Sequence, residues 1–260
     1  MERSALITGG SKRIGGAISN SLAENGYDII VHYNADSEGA EEVVEYARSK
    51  GVQAYSIKAD LLNDEEILNL VSKSVKLLNK PLTTLINNAS IFEYDNIWTA
   101  NRESWDRHIE SNLRAPLVLT QSFANQVPTI NNDKNGEPLA QGLIINLIDQ
   151  RVKKLTPEFT SYTIAKMGLW ALTQTSAQAL APNIRVNAIG PGPTLKGARQ
   201  SEEHFENQRK NTVLGRGSDA SEIVAAVGYL LNAKSVTGQL ICVDGGQHLA
   251  WKTPDVLGVE

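Results

Sequence analysis

Short apolar runs bounded by Gly or polar turns alternate along this chain with longer stretches of helical period. Ser4–Thr8 reads as a short buried strand, followed by the turn Gly9-Gly10-Ser11-Lys12-Arg13-Ile14-Gly15. An amphipathic helix runs from that turn to about Asn25, where Gly26 stops it. Tyr27–Tyr33 is a second strand, Asp36–Ser49 a helix stopped by Gly51, and Gln53–Lys58 a third strand. Asp64–Leu78 is helical, and Thr84–Ile86 is a strand running into Asn87-Asn88-Ala89-Ser90. Asn101–Val127 is a long helical region with a bend expected near Pro116, which has no N–H to give to a helix. Thr129–Gln141 is polar and reads as a surface loop. The run from Leu143 to Ile148 is a fifth strand, and the helix carrying Tyr162 is closed by Pro182. Ile184–Ile189 is a sixth strand, Gly190–Arg199 a Gly/Pro-rich loop, and Ser201–Asn211 charged and helical in pattern. Ser218–Leu231 is a helix with an acidic first turn, and Gln239–Val243 the last strand. Such alternation, without repeat or linker, predicts one α/β domain over 1–260. Its expected core is a doubly wound parallel sheet of about seven strands with helices on both faces.

Composition narrows this little. The 260 residues are 41% apolar without a long apolar run, so a core is affordable and a membrane span is not expected. A net charge of −4 gives no reason to expect nucleic acid or an anionic membrane. Cys242 is the only cysteine, which excludes an intrachain disulfide and fits a reducing compartment. The strand-like Met-Glu-Arg-Ser-Ala-Leu-Ile-Thr start lacks the apolar core of a signal peptide, so a cytoplasmic protein is expected. The four histidines show no metal-ligand spacing, and no metal is expected.

Two stretches carry candidate chemistry. The first is the Gly-rich turn, which sits between a strand and a helix inside one βαβ-sized unit. Glycines let backbone approach a pyrophosphate, and the helix start offers N–H donors and a positive dipole end. The second runs from Asp149 to Lys166, just beyond the fifth strand, where ligands of open α/β sheets lie. Tyr162 and Lys166 are four residues apart, which places them one turn apart on one helix face. A nearby ammonium favours the phenolate and makes the phenol a better proton carrier near neutral pH. Tyr46 and Lys50 share the spacing in a stretch that reads as an ordinary surface helix, so position rather than spacing favours Tyr162.

Taken in order, Thr8-Gly9-x-x-x-Arg13-Ile14-Gly15, Asn87-Asn88-Ala89, Asn112, Asp149 with Tyr162-x-x-x-Lys166, Pro191-Gly192 and Asp244-Gly245-Gly246 resemble the short-chain dehydrogenase/reductase family over nearly the full length. The resemblance implies a Rossmann-type fold and hydride transfer from a dinucleotide. It also implies roles. Tyr162 would supply the proton, and Lys166 would lower its pKa and hold the nicotinamide ribose. Asn112 would hold a helix bend and a relay water. Gly9, Ser11, Lys12, Arg13, Ile14 and Gly15 would cradle the phosphates, and His32, Tyr33 and Asn34 would face the adenosine end. Asp60 and Leu61 would meet the adenine. Asn88, Ala89 and Ser90 would line the cofactor path, and Pro191, Gly192 and Thr194 the nicotinamide end. For Asp60 and Asn112, capping or turn chemistry is the plainer alternative. The family further suggests a homotetramer, with the long helices and the C-terminal segment at interfaces. Trp251 would pack across such an interface or cover its own core.

Two departures point to one branch. Arg13 stands where the family has its middle glycine, and Asp149 stands thirteen residues before the tyrosine where it has a serine. Both, with Asn88-Ala89-Ser90-x-Phe92, are similar to the pteridine reductases. In that branch the residues matching Arg13, Ser90 and Phe92 lie at the substrate, with Phe92 stacked on the pterin; a loop-packing aromatic plug is the equal alternative. An ionised aspartate cannot donate to a carbonyl oxygen and repels an alkoxide, whereas a ring rich in N–H groups gains an acceptor. Asp149 thus favours reduction of a C=N bond in a dihydropterin or dihydrofolate-like ring, with 3-oxoacyl-thioester or other carbonyl reduction as the alternative. A non-catalytic NADP(H)-binding sensor is a further one. His32-Tyr33-Asn34 lacks the acid that an NAD site wants after the second strand, and Lys12 or Arg13 could meet a 2′-phosphate, so NADPH is expected. Asp36 and Glu38 lie close enough to leave NAD open. Residues 190–212 are the expected substrate-closing loop.

Overall fold

A computed structural model describes residues 3–197 and 199–253. Nine strands and eight α-helices are labelled below in chain order among these residues. Seven strands build one parallel sheet: β1 (Ser4–Ile7), β2 (Asp28–Tyr33), β3 (Ala54–Lys58), β4 (Thr84–Asn87), β7 (Gly142–Leu147), β8 (Ile184–Pro191) and β9 (Leu240–Val243). Their spatial order is β3-β2-β1-β4-β7-β8-β9, so the winding reverses between β1 and β4. In such a sheet that reversal opens a crevice at the strands' C-terminal ends.

The strands alternate their burial between two helix layers. Ala5 and Ile7 of β1 pack with α1 (Arg13–Glu24), α2 (Ser37–Ser49) and α8 (Ala220–Asn232) through Ile18, Leu22, Val44 and Val227. Leu6, between them, points to the other face, which α3 (Asp64–Leu78), α5 (Ala115–Ala124) and α6 (Thr160–Ala179) cover with Leu70, Phe123 and Ala177. Burial on both faces explains the near-continuous apolar strands.

Three local features depart from the sequence expectation. The long helical region is interrupted by a π turn at Glu110–Arg114, between α4 (Arg102–Ile109) and α5, one turn upstream of Pro116. Pro116 itself sits in the first turn of α5, where its missing N–H costs little. The polar segment 129–141 contains a small hairpin, β5 (Asn131–Asn132) with β6 (Pro138–Leu139), formed around Gly136 at φ 80°. β8 runs on to Pro191, two residues past the expected end, because Pro191 still pairs with Val243 of β9. The segment 201–211 forms α7 (Glu202–Lys210), capped by the Ser201 hydroxyl.

Candidate active site

The crevice holds two connected spaces. The first, a trough of about 530 Å³ over β1, β2 and β4, is lined by every residue assigned above between Gly9 and Ser90. Its floor is fastened from below. The Asn88 carboxamide donates to the carbonyls of Thr8 and Gly9 at 2.9 and 3.0 Å, and the Thr8 hydroxyl accepts from the amides of Asn88 and Ala89. His32 is buried, accepts from Gly9 N–H at 3.0 Å through Nδ1 and reaches Ala59 O through Nε2. Burial lowers its pKa, so the neutral ring with Nε2–H fits both bonds. Asp60 makes the turn contact as well, accepting from Leu62 N–H at 3.0 Å while lining the trough.

Backbone geometry keeps the trough open. Gly9 lies at φ 60°, and a Cβ on Gly15 would stand 2.0 Å from Gly9 O. Only glycine lets turn and helix pack this closely, which brings the N–H groups of the α1 start to the trough, where phosphate oxygens suit them. Arg13 holds a left-handed backbone, φ 53°, at the position where glycine is usual. Its guanidinium turns away from the adenosine end and donates to Lys196 O and Leu195 O at 3.0 and 3.2 Å. The expectation that Arg13 meets a 2′-phosphate is corrected to that extent, and Lys12 is the cation at the trough's edge. Lys12 pairs with Asp36 at 3.3 Å, and Ser11 donates to the same carboxylate at 2.9 Å. Those two groups, Ser11 foremost, hold the exposed Asp36 carboxyl below its ordinary pKa.

The second space, about 940 Å³, opens beyond β7 and β8 and is lined by Arg13, Phe92, Asp149, Pro191, Gly192 and Thr194 among others. The Tyr162 hydroxyl donates to Asp149 Oδ2 at 3.0 Å, and Asp149 Oδ1 accepts from Arg151 N–H at 2.8 Å. Lys166, almost wholly buried, donates to Leu147 O at 2.9 Å. Burial raises the Asp149 pKa; burial and the adjacent Asp149 push Tyr162 well above its usual value. Burial lowers Lys166 to about 8. The expectation that the ammonium favours a phenolate is not met in this structure: burial and the hydrogen-bonded Asp149 act on the phenol more strongly and hold its proton.

Asn112 lies inside the π turn, and its carboxamide clamps both backbone groups of Ile91 at 2.8 Å. That clamp aims Phe92. The Phe92 ring stacks on Phe159 at 4.4 Å and meets the Tyr162 ring edge-on at 4.6 Å. The packing arrangement is therefore present, and it stands against the Tyr162 phenol. Thr194 is buried, with its hydroxyl on Gly192 O and Ser218.

Asp95 was not legible as a site residue. It is 1% exposed and caps α6 from a distant loop. Its carboxylate accepts from Ser161 N–H at 3.1 Å, from the Ser161 hydroxyl and from Ser104 at 3.0 Å. Phe159, at the cap of α6 with φ 60°, offers no side-chain cap of its own. The Ser161 hydroxyl also meets His108, whose other nitrogen accepts from Glu93 N–H. The only sequence signal would have been a helix lacking a local cap. Among the described residues no group of three or more His, Cys, Asp or Glu could hold a metal ion, and no helix is long and apolar enough to cross a membrane.

A Gly-rich turn at the switch point of a parallel sheet, with a buried Tyr/Lys pair at its crevice, defines a dinucleotide-dependent oxidoreductase. Residues 9–248 match the family described as enoyl-(acyl carrier protein) reductase, and the chain belongs to the short-chain dehydrogenase/reductase family. Its fold is similar to that of the FolM alternative dihydrofolate reductase 1 of Brucella suis in complex with NADP. The TM-score is 0.90 and the identity 41%, over 98% of each chain. The Brucella canis counterpart, also complexed with NADP, gives 0.89 and 40% over 98% of each. The 3-oxoacyl-acyl-carrier-protein reductase FabG of Staphylococcus aureus is 32% identical over 254 residues, 96% of this chain and 99% of that protein.

Proposed function

We propose that this oxidoreductase uses NADPH to reduce a C=N bond in a dihydropterin or dihydrofolate-like ring. The observation that carries this reading is the Asp149 carboxylate, 3.0 Å from the Tyr162 hydroxyl, where a ketone reductase of the family wants a hydroxyl donor. The likeness at 41% identity to an NADP-bound alternative dihydrofolate reductase supports it.

The trough suits the dinucleotide: the Gly-rich turn and the α1 start line it, and Lys12 stands at the adenosine edge to exchange Asp36 for a 2′-phosphate. Lys166 would hold the ribose, since one of its three N–H bonds serves Leu147 O. Bound NADPH supplies the hydride. Tyr162 supplies the proton that the ring nitrogen gains as the neighbouring carbon is reduced. Asp149 aims the phenol and accepts from ring N–H and amino donors. As Tyr162 passes its proton to the ring nitrogen, its hydrogen bond to Asp149 is given up, and solvent returns a proton to the phenol before the next turnover. Ser90 and Phe92 border the ring, and Asn112 holds them in place through Ile91.

The assay is loss of NADPH absorbance with 7,8-dihydropterins against 3-oxoacyl thioesters, in the wild type and in Asp149→Ser. Dihydropterin turnover by the wild type is expected, with ketone turnover rising in the serine variant. Turnover of thioesters alone would sink the reading. That outcome is the second reading, favoured by the FabG relative. NADPH binding without turnover of either class would leave the sensor reading.

We also infer a homotetramer. Leu117, Ile164 and Met167 on α5 and α6 are exposed, as are Tyr229 on α8, Leu249 and Trp251, giving two apolar faces for contact between copies. Residues 254–260 of the expected interface segment lie outside the described part. A cytoplasmic location agrees with the single Cys242.

A further inference from the structure

The cleft beyond Asp149 carries more positive charge than its surroundings explain. Its lining includes four cations, Arg13, Arg151, Lys154 and Arg199, against two carboxylates, Asp149 and Glu158. The chain as a whole is at −4. Arg13 is bound to the carbonyls of the closing loop. The other three form no ion pair with any carboxylate among the described residues.

Arg151 and Arg199 converge on one spot, and Lys154 lines the same cleft. The guanidinium carbon of Arg151 lies 5.1 Å from the Phe159 ring centre, and that of Arg199 lies 5.9 Å from it and 5.4 Å from Phe92. Arg199 holds Phe92 O, so the charge is delivered beside the aromatic pair at the Tyr162 site. Arg151 gives Nη1 to Thr156 Oγ1 and Glu158 O, while its Nε is shielded from solvent without a hydrogen-bond partner. Like charges on one wall of a cleft focus the field there and attract a counter-charge.

We propose that the mouth of this cleft binds an anionic tail, carboxylate or phosphate, carried by the substrate on the side chain at the carbon of the reduced bond. The assignment rests on the pterin reading and deepens it: the enzyme recognises a conjugated ring, with Lys154, Arg151 and Arg199 as the tail's partners. Guanidinium forks suit either oxyanion, and the lysine adds a point charge.

The test compares kcat/KM for three probes: dihydrofolate (carboxylate tail), 7,8-dihydroneopterin monophosphate (phosphate tail) and 6-methyl-7,8-dihydropterin (uncharged). The proteins are the wild type, Lys154→Gln and Arg199→Gln, each at low and raised salt. The wild type is expected to prefer at least one charged probe over the uncharged one by about tenfold, the scale of one charge-assisted contact. Whichever tail is preferred identifies the source of the anion. That preference should shrink several-fold in both variants and with salt, while the uncharged probe shows little salt dependence. Equal kcat/KM for all three probes, unchanged by variant and salt, would overturn the tail assignment and leave the pterin reading standing. Failure of the wild type to turn over any of the three would overturn both. NADPH affinity and melting temperature, measured on the same variants, separate lost recognition from lost folding.

Discussion

Two helices of this protein carry Tyr-x-x-x-Lys, and each tyrosine finds a carboxylate. On α2, Tyr46 donates to Glu24 and the Lys50 ammonium lies over its ring at 4.6 Å, at the surface. On α6, Tyr162 donates to Asp149 and Lys166 reaches Leu147 O, both away from solvent. The pairing and the spacing are the same; the surroundings are not. In water, such partners cost little to separate. In the crevice, burial displaces all three titrations, and the neighbours of each group fix where its proton sits. Chemistry here belongs to a location at the end of β7 rather than to a spacing.

The comparison breaks most sharply at the phenol. Tyr162→Phe should lower kcat for a dihydropterin by about 10²–10⁴-fold, the range of a positioned proton donor, with NADPH affinity nearly kept. Fluorescence titration of NADPH alongside the turnover assay separates the two effects. Equal losses from Tyr46→Phe would destroy the distinction.

Lys166 sharpens it through pH. Its folded pKa of about 8 lies below its ordinary value of 10.5, so the unfolded chain binds more protons between those values. Its contribution to stability is therefore fully present above about 10.5 and is lost as pH falls through about 8. The difference is at most about 3 kcal/mol. Denaturant unfolding at pH 8 and pH 10.5 should show the wild type gaining on Lys166→Met by an amount of that order.

Asp95→Ala removes the remote cap of α6 and leaves the Ser161 donors without their acceptor. A loss of about 2 kcal/mol is expected, with a lower melting temperature. The smallest effect belongs to the surface pair: Tyr46→Phe and Lys50→Met should stay within about 0.5 kcal/mol of the wild type by chemical denaturation.

Local rules made most of the frame legible. The Gly9–Gly15 turn, the Gly26 and Gly51 stops and the apolar strands follow from backbone freedom and burial on both sheet faces, which sequence states directly. The π turn is not a local matter: the Asn112 carboxamide bonds to Ile91, twenty-one residues away. Pro116 marked an irregularity but not the turn that absorbs it. Tyr162 and Lys166 were found by position, yet the direction of the phenol's titration depends on the dryness of the site and on which charge is nearer. Neither is written in a spacing. Asp95 serves a helix sixty-six residues downstream and was visible only in three dimensions, whereas Phe92 was named from the sequence and only its partner Phe159 was not.

Arg13 holds two opposed quantities in one residue. A left-handed backbone at a non-glycine position costs on the order of 1 kcal/mol, and glycine there would relieve it. The same change would remove the tether to the backbone of Leu195 and Lys196 at the cleft wall. The two consequences have opposite signs in a melting curve, so a thermal screen of Arg13→Gly would score it as harmless even where that tether had been lost.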